Sequence, residues 1–189
     1  MKTLNFVIAM VILLSSNVMF AQKVEVNAEK STIAWHGEKV VGDHDGNIQI
    51  KSGFFELKDD QIVAGNFVID MNSITNSDLK DAGYNKKLVT HLKSDDFFGV
   101  EKYPTANFRI TKSFKFTNGK AIVTGDITIK GKTESISFEV TKEGKVYTAK
   151  IDIDRSKFNV RYGSSSFFDK LGNKAIDDIF TLKIKLVVN

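Results

Sequence analysis

Apolar residues recur at every second position through almost the whole of this chain, and that period admits few architectures. From Thr105 the pattern is clean: Ala106, Phe108 and Ile110 fall on one face, Asn107, Arg109 and Thr111 on the other. A two-residue period describes a strand with one buried face and one wet face. It returns in Ile33 and Trp35, in Ile48 and Ile50, and in Val63, Gly65, Phe67, Ile69 and Met71. It returns again in Val123, Gly125, Ile127 and Ile129, in Ile136 and Phe138, in Ile151 and Ile153, and in Phe180, Leu182 and Ile184. Turn signals punctuate these runs: a predicted turn over Gly42–Gly46, Lys58-Asp59-Asp60-Gln61, Asn118-Gly119, Gly131-Lys132 and Glu143-Gly144. Asn-Gly is the strongest short hairpin signal.

One segment breaks the pattern. Leu79, Ala82, Leu88 and Leu92 are spaced by threes and fours or their multiples, which predicts a helix over Leu79–Lys93 with Ser77 or Asp78 as N-cap. Gly83 weakens it, so two short helices are an open alternative. A loop over Ser156–Asp177 precedes the last strand. About eight or nine strands with one helical insertion predict an all-β fold, an antiparallel up-and-down barrel of about eight strands. A two-sheet sandwich is the alternative. A barrel of that size can hold one small ligand. Gly65 and Gly125 lie within apolar faces, where the missing side chains would leave the interior open.

Residues 1–21 read as a secretory signal peptide: Lys2, an apolar run from Leu4 to Leu14, then Ser15, Ser16, Asn17 and a small residue at Ala21. Met19 is large for its place before the cut. The apolar run is short for a bilayer span, which takes roughly 20 residues. The expected mature chain is one domain, 22–189, periplasmic or secreted, with no transmembrane helix. The net charge of +4 is mild and the bases alternate with acids, so nucleic acid is not an expected partner. The absence of cysteine excludes disulfides, thiol chemistry and cysteine metal sites.

Candidate chemistry is sparse. Asp43-His44-Asp45 is a metal-like fragment without a third element, and the twelfth position from Asp43 is Phe54, which a calcium loop does not allow. His36 and His91 have no partner at zinc spacing. Gly163-Ser164-Ser165-Ser166 is not a nucleophile elbow. No catalytic residue, metal ligand or cofactor is expected, beyond a bound isoprenoid lipid such as a quinone. Aromatic rings are the better signal. Most of the 15 phenylalanines belong to strand cores, but Phe97-Phe98 and Phe167-Phe168 are doubled in polar loops. Such pairs fit cavity linings or lids over a barrel end.

The stretch His91–Thr111 holds the only proline, Pro104, which starts the strand that follows. Asp96, Phe97, Phe98, Val100, Glu101, Lys102, Tyr103, Pro104 and Phe108 match the signature of the YceI-like family of periplasmic lipid-binding β-barrels, which the chain resembles. Gly99 departs from it where an acidic residue is usual. Gly125–Thr133 resembles the family's G-x-L-T-I-x-G-x-T hairpin. Ile153–Phe158 with Tyr162-Gly163 resembles its I-D-R segment, and Ser31–Trp35 its opening strand. The resemblance covers the mature chain. It implies a lipocalin-like barrel and noncovalent sequestration of a long isoprenoid or similar amphiphile, a quinone or polyprenol. On it, the ligand-binding candidates are Trp35, His91, Phe97, Phe98, Tyr103, Phe108, Phe158 and Phe168. The partner is then a long-chain lipid or isoprenoid, and a homodimer is compatible with the reading. An enzyme acting on a lipidic substrate and a structural barrel that binds a protein partner stay open beside it.

Overall fold

From its second strand onward, each strand pairs antiparallel with the next, and the last returns to close the ring. The computed structural model describes residues 20–189; the leader expected over 1–21 lies outside them except for its last two residues. The strands are β1 (Gln22–Glu25), β2 (Thr32–Lys39), β3 (Asp43–Lys58), β4 (Gln61–Asn76), β5 (Thr105–Ser113), β6 (Lys120–Ile129), β7 (Lys132–Glu143), β8 (Val146–Asp154) and β9 (Ile176–Val187). One helix, α1 (Ala82–Lys93), interrupts them between β4 and β5. Strands β2 to β9 form a closed barrel of eight. The seam is β2 against β9, with Ile33 opposite Ile184 and Trp35 opposite Leu182. Strand β1 extends the wall beside β2, pairing with the far half of β3. The fold is therefore the antiparallel up-and-down barrel that the alternation predicts.

Three local expectations need correction. Asp43–Asp45 is not part of the turn; the hairpin bends at Val40–Gly42, and Asp43 already pairs with Glu38. Val63 does not face inward. A register shift between β3 and β4 sets it outside at 42% exposure, and Ile62 takes the inward place. The helix starts at Ala82, with Asp81 as N-cap accepting from the Tyr84 N–H. Asp78 cannot cap it, because its oxygens already accept from the Asp45 N–H and Asn76 and pair with His44. Gly83 does not split the helix.

Antiparallel connectivity puts alternate connections at opposite ends of the barrel. The β3–β4, β5–β6 and β7–β8 turns share one end, where Phe55, Ile62, Val123, Tyr147 and Val188 fill the interior. The β2–β3 tip, the excursion carrying α1, the Lys130-Gly131 turn and the long loop 155–175 share the other. Every long connection therefore lies at one end, and the site lies beneath it.

Candidate functional site

The barrel encloses an apolar cavity of about 230 Å³ between these two ends. Its wall comes from inward positions of all eight barrel strands, β2 to β9, and its mouth reaches Lys39, His44, Leu88 and Ile176. The inward faces would ordinarily fill a barrel this narrow. What keeps space open is the way the rings lie. Trp35 sits opposite Gly46 in the register, and its ring occupies the room a Cβ would need there. Phe67 lies against Gly53 in the same manner. A Cβ on Gly125 would stand 2.5 Å from Phe108 Cζ. Glycine on the neighbouring strand lets each ring lie along the wall instead of pointing at the axis. Gly65 and Gly125 therefore leave no voids of their own: Ile110 covers the first and Phe108 the second.

The floor is aromatic. Phe108 stands 6.2 Å from Phe67 and 5.5 Å from Phe138, centroid to centroid, and separates the cavity from the packed end. The roof is the signature loop. Phe97 is buried, with Phe98 at 5.2 Å and His91 at 5.8 Å in edge-on contacts. Tyr162 of the long loop closes on His91 at 4.4 Å. Lys130 ties this loop to the β6–β7 turn, its Nζ donating to the carbonyls of Asp95 and Phe97. Burial pushes its pKa down. The Ser94 N–H and hydroxyl both donate to His91 O, which ends α1 where the signature begins.

Arg155 holds the long loop. The residue is 2% exposed, and its guanidinium donates to the carbonyls of Val160, Tyr162, Ile176 and Asp177, all at 2.9 Å. Its Nη2 also stands 3.4 Å from Asp178 Oδ1, and its plane lies 5.4 Å from the Phe97 ring. Burial lowers the Arg155 pKa, with the Asp178 charge acting the other way. Burial alone would raise the Asp178 carboxyl; the Ser164 and Ser166 hydroxyls and the Arg155 charge outweigh it and hold it low. With its donors taken by carbonyls of the loop and of the start of β9, Arg155 is a clamp at the edge of the cavity.

The cavity brings together five of the eight candidate residues: Trp35, His91, Phe97, Phe98 and Phe108. The other three stand elsewhere. Tyr103 covers Gly131 outside the barrel, where a Cβ would lie 2.9 Å from its Cε1. Phe158 is 1% exposed and packs into the core under the 3-10 turn Arg155–Phe158. Phe168 is 47% exposed, beside Arg161 in an outer groove. The strand-borne wall residues Phe67, Phe138, Phe180 and Leu182 are not distinguished by the sequence. Nothing in a two-residue period distinguishes wall from core.

The histidines are not isolated. His36 Nδ1 is 2.9 Å from Asp45, its cross-strand partner, and Nε2 is 3.2 Å from Glu38. His36, Asp43 and Asp45 bring three possible metal-donor groups within 4.8 Å of one another on the outer face of the hairpin. Hydrogen bonds to Asp45 and Glu38 raise the His36 pKa. His44 pairs with Asp78 at 2.8 Å beside the mouth. Burial opposes ionisation of Asp78, but hydrogen bonds from His44, the Asp45 N–H and Asn76 lower its pKa to about 2.

A closed eight-stranded antiparallel barrel with an apolar cavity roofed at one end defines a lipocalin-like binding barrel. Residues 24–188 match the YceI-like domain, and the chain belongs to that family. A UPF0312 protein of Vibrio parahaemolyticus is 31% identical over 138 residues, 66% of this chain and 69% of that one. A UPF0312 protein of Pseudomonas putida is 45% identical over 56 residues, 29% of each chain. Among solved structures, Burkholderia cenocepacia BcnA superposes with a TM-score of 0.64 at 26% identity, over 87% of this chain and 99% of that one. A polyisoprenoid binding domain from Saccharophagus degradans, implicated in plant cell wall breakdown, shares the fold at 11% identity. Its TM-score is 0.59, over 88% of this chain and 97% of that one.

Proposed function

We propose that this chain is a binding protein that holds the tail of a long-chain isoprenoid or similar amphiphilic lipid, such as a quinone or polyprenol, in the barrel cavity. The observation that carries the reading is the cavity itself: about 230 Å³, walled by aliphatic and aromatic side chains, roofed in part by the signature loop, with a mouth beside it at Lys39, His44, Leu88 and Ile176. That volume falls below the roughly 300–1,000 Å³ of drug-sized sites and suits a slender tail better than a bulky ring system. Each tail methylene buried there contributes about 0.8 kcal/mol. Sequestration fits better than catalysis, because the wall is apolar and Arg155 and His44 beside it are already engaged, Arg155 with four carbonyls and His44 with Asp78. His91 meets Phe97 and Tyr162 edge-on. The fold shared with a polyisoprenoid binding domain supports the same reading. The leader-like residues 1–21 support action outside the cytoplasm, as a single mature domain over 22–189.

Native mass spectrometry of the purified protein tests this. The expected result is a retained long-chain lipid that organic extraction removes. A clean apo mass, with no uptake of added farnesol or geranylgeraniol, would refute it.

A further inference from the structure

The three turns at the packed end carry polar tips: Asp59-Asp60, Asn118-Gly119 and Gly144-Lys145. Phe114, the large exposed ring near that end, lies under Lys112, whose Nζ is 5.1 Å from the ring centre. The β2–β3 tip at the mouth end is different. Val40 and Val41 are each 61% exposed, and Gly42 closes the bend behind them with φ +85°. Water-exposed valines at a bend add nothing to folding, and any other hairpin would take polar residues there.

The tip belongs to the rim of the mouth. Lys39, the residue before it, lines the cavity together with Leu88 of α1 and Ile176 of β9. The Val40 N–H donates to Ala175 O, which fixes the tip beside the end of the long loop. Tyr84 of α1 and Phe168 of the long loop are also exposed, at 68% and 47%. Lysines accompany them: Lys39, Lys86, Lys87, Lys170 and Lys174 are exposed. Among the described residues none of the five forms an ion pair with a carboxylate.

Apolar and aromatic tips set among unpaired lysines match what a protein needs to rest on an anionic bilayer. We infer that the mouth end, with Val40 and Val41 on its rim, docks on an anionic lipid bilayer so that a tail passes between membrane and cavity without crossing water. The inference rests on the lipid-binding reading for its purpose and on the exposed tip for its place. No described helix is long and apolar enough to cross a bilayer.

The test uses the exported chain, vesicles of phosphatidylcholine with phosphatidylglycerol, and retinol, a fluorescent isoprenoid alcohol. Trp35 is the only tryptophan and lines the cavity, so energy transfer from it to retinol reports loading. The variant is Val40→Asp with Val41→Asp, at exposed positions where the substitution leaves the backbone bond from Val40 to Ala175 O in place. Burying one valine is worth about a factor of ten, so vesicle-to-protein transfer should slow at least tenfold. Retinol added from solution should bind both proteins alike, and flotation with vesicles should be lost in the variant. A Lys86→Glu, Lys87→Glu variant should lose flotation on anionic vesicles. Equal transfer and flotation in wild type and the valine variant would overturn the inference. So would a wild type that never floats but sediments as a dimer which the valine variant dissociates, since a second copy would then cover the tip. Failure of both proteins to take up retinol from solution would count against the lipid-binding reading; flotation would still decide docking.

Discussion

Adding one methyl group at Gly125 should shrink the cavity from within the wall. A Cβ there would stand 2.5 Å from Phe108 Cζ and 2.5 Å from the Arg109 carbonyl oxygen. The carbonyl belongs to the β5–β6 ladder and cannot retreat, so the ring must swing toward the axis. Overpacking of this kind costs about 1–3 kcal/mol. For a chain of this length each kcal/mol is worth about 2–4 °C, so Gly125→Ala should lower Tm by about 2–12 °C. The displaced ring takes cavity volume, and retinol affinity should fall about tenfold, the equivalent of one apolar side chain's contact. Gly37 is the internal control. It also lines the cavity, but a Cβ there meets nothing within 4 Å and its φ is not positive. Gly37→Ala should leave stability unchanged or raise it by the roughly 0.4–1 kcal/mol that a compatible Gly→Ala change gives, so its Tm should not fall. Thermal melts and retinol titrations of the two variants decide the matter. If Gly125→Ala melts and binds like Gly37→Ala, the ring is not held by the glycine and the reasoning fails.

Phe98→Ala should weaken lipid retention by roughly 1–3 kcal/mol, whereas Phe97→Ala should also cost about 3–5 kcal/mol of stability, because Phe97 is buried against Arg155 and His91. Melts and native mass spectra of both would show it. Arg155→Met should destabilise by on the order of 3–5 kcal/mol, since Asp178 and four carbonyls lose their partner together; limited proteolysis should then cut first within 156–175. The raised His36 pKa means its contribution is complete below the unfolded value of about 6.5 and fades as pH rises through the folded value. The stability gap between wild type and His36→Gln should therefore be larger at about pH 6 than at about pH 9. Asp78 runs the other way: its folded value of about 2 lies below the usual 3.8, so its contribution is present above about pH 4 and disappears on acidification toward pH 2. Asp78→Asn should flatten that part of the acid unfolding curve.

The strands are readable because each has one wet face, and the start of β5 after Pro104 can be placed to the residue. The start of α1 is not, because Asp78 carries a capping side chain that a distant hairpin has already engaged. Loop rings betrayed their role by being out of place: Phe97 and Phe98 follow two aspartates and line the cavity. Phe67 and Phe138 sit at ordinary inward positions, where alternation cannot say whether a ring meets a core or a void. The His36–Asp45 pair needed the β2–β3 register, and the Arg155 clamp binds backbone carbonyls, which any residue could supply. Phe158 and Tyr103 share motifs with Arg155 and Phe97 yet face the core and an outer turn.

The β2–β9 seam joins the beginning of the chain to its end: the Val187 N–H donates to Ser31 Oγ, 156 positions away. Until β9 is made, both β2 and β8 are bare edges with apolar inner faces, the condition that invites pairing between molecules. Closure must follow completion of the chain, and so distant a pairing is slow to form. Loss of a single terminal strand would therefore remove two lateral partnerships at once. A chain stopped before Ile176 should be recovered as aggregate, where a barrel merely shortened at a hairpin would stay in solution.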